Sequence, residues 1–309
     1  MPHEVAALVY VVVGLVVIER LPIAYSREAL LLAHSTSTLL IFAMAVTLSY
    51  LRARGDRGFW KREVLDITRC CAALLVVFST SFVGKSFIYL INSRVWDGQL
   101  MAIDQEIHFG HSPTIFFATL FQNDLFLRLL DIYYSQLYFV LFVTVPALLL
   151  AYSDRMQRVR FTAALVLLWM GGNLLYILLP SWGPVFTAPA LVEGPLQSMP
   201  ATVWVQSRLF GEISSLVHSP LAPRVARFGG VAAFPSLHVA VVTLFALAGR
   251  KLLHGKFAIA VVAVLLMQVG SVVTGYHFMI DGYAGALLAI AAWQVARVSS
   301  NGFGGPEVN

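Results

Sequence analysis

The sequence predicts an all-α fold, a polytopic membrane helix bundle of about eight transmembrane spans, about six of them forming a core. Three observations carry that expectation. Apolar residues make up 59% of the 309-residue chain and charged residues only 12%, about half the charged fraction of a soluble domain. Apolar runs of membrane length recur along the whole chain. Lysine and arginine crowd into short connections that alternate along it, as they do where they orient spans.

The first run, 5–23, is interrupted by Glu19 and Arg20. It lacks a basic start and a small-residue cleavage site, so it is expected to be a retained span rather than a signal peptide. The second run is 29–51, and 52–69 reads as a short basic loop. The remaining runs are 70–91, 132–152, 161–179, 231–248, 257–274 and 282–298. Residues 1–69 thus form two N-terminal spans and a loop, 70–298 the six-span core, and 299–309 a polar, Gly-rich tail expected to be disordered. Cys70 and Cys71 are adjacent, which disfavours a disulfide, and they read as apolar filler.

Two connections are long. Residues 92–131 contain Asp104, Glu106, His108, His111 and Pro113, and 114–121 reads as an amphipathic helix at the membrane interface. Residues 180–230 carry Pro180, Gly183, Pro184, Pro189, Pro195 and Pro200 and read as a long shaped loop of the kind that often carries function. His108 and His111 read as solvated loop residues, His34 as structural, and Trp182 and Trp204 as interfacial belt residues.

Basic residues lie at Arg52 to Arg69, at Arg155, Arg158 and Arg160, and at Arg250, Lys251 and Lys256. Those three connections must share one side, which the positive-inside rule makes the cytoplasm, with both termini there. A plasma-membrane protein of this topology places Lys85, Arg94, His238, His277 and Asp281 on the extracytoplasmic side. Cytosolic ATP is absent there, so chemistry at that face must draw on an activated substrate such as a lipid-linked phosphoester. The net charge of +5 sits in span-flanking loops, which argues against nucleic-acid binding.

Phe234-Pro235-Ser236-Leu237-His238 and Tyr276-His277-Phe278-Met279-Ile280-Asp281 lie at span edges. Ionisable residues in hydrocarbon surroundings are costly and mark functional sites. His277 and Asp281 are four apart, the spacing that puts two residues on one helix face. There the carboxylate fixes one imidazole nitrogen and leaves the other to act as nucleophile or base. His238 is a candidate general acid. Pro235 suits the first turn of a helix, with Ser236 and the following amides at its positive end, ready for an anion. Gly229 and Gly230 permit close backbone approach. Lys85, Arg94 and Arg227 are candidate phosphate-binding cations.

These motifs resemble the type 2 phosphatidic acid phosphatase superfamily, most closely its branch of inositol phosphorylceramide synthases and related lipid phosphotransferases. The Pro-Ser-Leu-His and His-x-x-x-Asp patterns carry the resemblance, together with Leu179-Pro180-Ser181-Trp182-Gly183-Pro184 and Gly285. It spans about residue 70 to the end of the last run. The resemblance implies a catalytic core in which His277 is a nucleophile forming phosphohistidine, Asp281 its partner and His238 the acid. Ser236 and Tyr276, within the motifs, join Lys85, Arg94 and Arg227 as candidate substrate-binding residues. Two positions depart from the family pattern: Asn92 stands where an arginine follows the motif lysine, and Ser271 where one precedes the motif histidine. The latter loss is similar to the transferase branch.

The expected activity is transfer of a phospho-headgroup from a lipid donor to an alcohol or lipid acceptor, with no cofactor and no metal. A lipid phosphate or polyprenyl (di)phosphate phosphatase of the same mechanism is the alternative. A non-enzymatic lipid transporter or binding protein with a histidine proton relay is the third reading, disfavoured because no internal repeat is visible.

Overall fold

A computed structural model describes residues 4–10, 12, 27–53, 56–86, 88–218, 231–253 and 255–301. Its elements are helices: α1 (Arg27–Ala53), α2 (Arg57–Ser86), α3 (Asp97–Ile107), α4 (Pro113–Leu120), α5 (Asp124–Ile132), α6 (Tyr138–Tyr152), α7 (Arg155–Leu178), α8 (Pro200–His218), α9 (Leu237–Gly249), α10 (Phe257–Val273) and α11 (Met279–Asn301). No strand occurs among the described residues. Among the described residues, five segments are long and apolar enough to cross a membrane: Thr36–Ala53, Arg57–Ser81, Asp124–Tyr152, Arg155–Leu178 and Met279–Ser299. The apolar helices α9 and α10 are shorter. Most of the expected first span, and the tail beyond residue 301, lie outside the described residues.

Helix starts follow local capping chemistry. The side chains of Ser112, Asn123, Asp154 and Ser236 each accept a backbone N–H in the first turn of α4, α5, α7 and α9, satisfying donors that the helix leaves unpaired. Helix α9 is apolar on nearly every face, as a helix surrounded by protein must be. It packs against α6, α7, α10 and α11. Gly285 lets α11 approach closely, because a Cβ there would meet the Ser236 carbonyl oxygen at 2.3 Å.

Four sequence expectations change. Residues 57–69 are helical rather than loop, so α2 begins well before Cys70 and the expected 70–91 span ends at Ser86, with a separate short helix at Ile88–Ile91. Residues 92–131 hold α3, α4 and most of α5. Helix α5 continues into α6 through a π-helical turn at Tyr133–Leu137, so that this membrane segment starts at Asp124. Helix α4 is apolar around most of its circumference rather than amphipathic. Residues 180–218 contain α8 and three short helical turns, because Pro184, Pro189 and Pro200 sit at helix starts, where their missing N–H is harmless.

The three basic connections gather at one end of the bundle. Glu63 binds both Arg52, at 3.1 Å, and the buried guanidinium of Arg158. Arg155 pairs with Asp66 at 3.2 Å. Gln157 Nε2 donates to the Ala248 carbonyl at 2.8 Å, which brings the end of α9 to the same place. Cys70 and Cys71 are buried and unpaired nearby.

Arg158 is only 1% exposed, so its counter-ion matters. Glu63→Gln should lower the unfolding free energy by about 3–5 kcal/mol, the usual cost of stranding a buried charge. Glu63→Leu combined with Arg158→Met should cost less than either single change. Thermal unfolding in detergent reads both, and a double variant weaker than each single variant would contradict the assignment.

Candidate active site

The site is assembled where helices stop. Helix α7 ends at Leu178, before Pro180, and the chain runs on as a strap that is non-helical from Leu179 to Gly183 and then enters a short helical turn at Pro184–Thr187. Several polar groups of that strap find partners on other elements. The Ser181 carbonyl accepts the Ala233 N–H at 2.8 Å and the Tyr89 hydroxyl at 2.9 Å. Ser181 Oγ accepts the Phe234 N–H at 2.8 Å. Asp97, on α3, accepts the Trp182 and Gly183 N–H groups. The Val185 N–H donates to the Gly275 carbonyl at 2.8 Å. Gly183 sits at φ +92°, and a Cβ there would lie 2.2 Å from the Tyr276 carbonyl oxygen, so no other residue fits. The strap thereby ties segment 231–236 to turn 274–278.

That turn presents His277. Helix α10 ends at Val273, Gly275 takes φ +75°, and the His277 N–H returns to the Ser271 carbonyl at 3.1 Å. His277 therefore lies in the turn, not on a helix with Asp281, which corrects the helical-face expectation. Asp281 is in the first turn of α11, where Oδ2 accepts the Phe278 N–H at 2.9 Å, the reaching-back half of a capping box. The same Oδ2 is 3.4 Å from His277 Nδ1, and Nδ1 makes no hydrogen bond. The imidazole instead lies against the backbone of Ala233. Both side chains are buried. The Ser236 N–H donates to the Asp281 carbonyl at 2.9 Å, joining the two motifs directly.

His238 projects from the first turn of α9. Its ring lies 4.9 Å from Tyr134 and 4.4 Å from Tyr138, centroid to centroid, and 6.2 Å from His277. Lys85 stands over the Tyr176 ring at 5.4 Å, close enough for its charge to bear on both imidazoles. Tyr276 stacks on Tyr134 at 5.9 Å. Ser236 is fully buried and spends its hydroxyl on the α9 cap, accepting the Val239 N–H. Pro235 precedes that cap rather than occupying the first turn, since α9 starts only at Leu237. Arg94 is exposed and lies over Trp96 at 4.0 Å. Arg227, Gly229 and Gly230 lie outside the described residues.

Three contributors were not legible in the sequence. Asp97 and Asp104 are buried on α3, seven apart and hence on one face, a spacing that offers the one available signal. Asp104 Oδ1 accepts the Ile280 N–H at 2.8 Å and so anchors the start of α11. Burial pushes both carboxyls above the usual aspartate range, while these backbone donors pull them back down. Tyr134 arrives through the π-helical turn, which local patterning does not reveal. Among the described residues, no group of three His, Cys, Asp or Glu side chains is placed to hold a metal ion.

Asp104→Leu would leave the Ile280 N–H without a partner at a cost of about 1–3 kcal/mol, whereas Asp104→Asn keeps an acceptor and should recover most of it. Thermal unfolding of the two variants decides this. Equal loss in both would mean that the carboxylate charge, not the hydrogen bond, anchors the turn.

Neither a curated protein nor a solved structure matches the chain. The family model described as PAP2 superfamily matches residues 98–295. That stretch runs from the start of α3 into α11 and includes the strap, both histidines and Asp281. Phosphatase or phosphotransferase chemistry is the chemistry this membership suggests. With about two thirds of its length matched, and with both motif histidines inside the match, the chain belongs to the PAP2 superfamily.

Proposed function

We propose that the protein is a membrane lipid phosphotransferase, acting through a phosphohistidine at the extracytoplasmic face. The observation that carries this reading is the meeting of His277, Asp281 and His238 at the end of the bundle remote from its basic connections. The His277 nitrogen remote from Asp281 attacks phosphorus, which requires the proton on Nδ1, the tautomer a facing carboxylate favours. The contact with the Ala233 backbone is then exchanged for substrate. As the P–N bond forms, the bond from phosphorus to the donor's oxygen breaks, and His238 protonates that oxygen. The acceptor alcohol next attacks phosphorus, loses its proton to His238, and releases His277. Lys85 lies on the side from which its charge can steady the phosphate oxygens.

Ser271 favours transfer over hydrolysis as the resemblance reads it. It is fully buried and spends its hydroxyl on the Gln268 carbonyl within α10. Orientation follows the positive-inside rule applied to the clustered Arg52, Arg155 and Lys256 connections, which puts that end in the cytoplasm. The plasma membrane is the proposed location, with the first two spans as an addition to a six-span core.

The test supplies labelled lipid phosphates to purified protein, with and without lipid alcohols, and follows products by mass spectrometry. A phosphodiester that requires the acceptor is expected, with turnover abolished in His277→Ala and reduced about 10²–10⁴-fold in His238→Ala. Free phosphate regardless of acceptor would make the protein a phosphatase. Turnover unchanged in His277→Ala would remove that residue from the chemistry.

A further inference from the structure

Buried polar atoms are almost always hydrogen-bonded, and an exception needs a reason. Four such atoms without a partner among the described residues belong to neighbouring residues here: Tyr134 Oη, Tyr276 Oη, His277 Nδ1 and Asp281 Oδ1. The Tyr134 ring is stacked against two of the site's rings, His238 at 4.9 Å and Tyr276 at 5.9 Å. Its hydroxyl is within electrostatic reach of the Tyr276, Tyr138 and Tyr176 hydroxyls and of Asp281.

The backbone that delivers Tyr134 is irregular in a telling way. Tyr133–Leu137 is a π-helical turn between α5 and α6, a feature that shifts side-chain register and recurs at functional sites. Its position against α10 is tight, because a Cβ on Gly270 would meet the Tyr134 ring at 3.1 Å. The neighbouring tyrosine behaves differently. Tyr133 donates its hydroxyl to the Ala263 carbonyl at 2.7 Å, an ordinary structural bond. One tyrosine of the turn thus has a complete partner set, and the next has none for its hydroxyl.

A phenol is a neutral donor whose hydrogen bond strengthens when the acceptor is charged. Phosphoryl oxygens are acceptors only, and the two described cations considered for them are not equivalent, since Arg94 is exposed and lies over Trp96 while the charge of Lys85 bears on both imidazoles. We infer that Tyr134 and Tyr276 are phosphate-binding residues, whose hydroxyls donate to the non-bridging oxygens of a phosphoester held between His238 and His277. The inference rests on the phosphoester reading of the site given above. It adds Tyr134 to the site and gives Tyr276 a defined role.

Tyrosine-to-phenylalanine exchange removes only the hydroxyl and keeps the stack, so it separates binding from packing. Inorganic phosphate is the probe, titrated against detergent-purified full-length protein by calorimetry, alongside thermal unfolding. Tyr134→Phe and Tyr276→Phe should each weaken phosphate binding about 10-fold, with unchanged or raised melting temperature, because a partnerless hydroxyl is removed. Tyr133→Phe should lower the melting temperature and leave phosphate binding unchanged. Phosphate binding that is intact in both Tyr134→Phe and Tyr276→Phe would overturn the inference while leaving the phosphoester reading in place. Wild-type protein that neither binds phosphate nor turns over any lipid phosphate would remove the parent reading, and the inference with it.

Discussion

Asp97 takes the amides of Trp182 and Gly183, and Ser181 takes those of Ala233 and Phe234 through two different oxygens. Those bonds solve the hardest physical problem in the molecule. Non-helical backbone inside a membrane protein must have every N–H and C=O satisfied by protein, because no lipid will do it. The strap at 179–185, the segment at 231–236 and the turn at 274–278 satisfy one another. Remove any one and the other two lose partners, so the histidines they carry lose their relative position.

Acidic side chains serve this backbone more than they serve charge. Asp104 holds the amide of Ile280, and Asp131 receives the amides of Ala201 and Thr202 at 2.8 Å each, starting α8. Asp281 holds the amide of Phe278 while it faces His277. A carboxylate accepts several N–H groups at once and is strengthened by its charge. One carboxylate can therefore terminate a helix and orient an imidazole, and Asp281 is placed for both.

The two ends of the bundle use charge differently. At the basic end, arginines meet carboxylates in pairs and clusters such as Arg52–Glu63–Arg158. At the site end, aromatic rings surround the two histidines, and the charge of Lys85 bears on both imidazoles. Tyrosine suits that environment, since its ring packs as a hydrophobe and its hydroxyl remains available for hydrogen bonding.

Composition and the length of apolar runs determined an all-helical membrane protein, because the bilayer sets a minimum span length and forbids unpaired backbone. The motif residues His238, His277 and Asp281, and the strap residues Pro180 to Pro184, were legible for a local reason. Proline and glycine punctuate helices, and ionisable residues stand out against apolar runs. Their mutual geometry was not legible. The four-residue spacing suggested a shared helix face, yet His277 sits in a turn because α11 begins two residues after it. Asp97, Asp104 and Tyr134 read as ordinary loop or span residues, since their significance depends on which distant amide or ring they meet. The bonds from Asp97 to Gly183 and from Asp104 to Ile280 close over long stretches of chain. Periodicity reports the faces of single helices; only the packed tertiary structure decides which faces, turns and carboxylates come together.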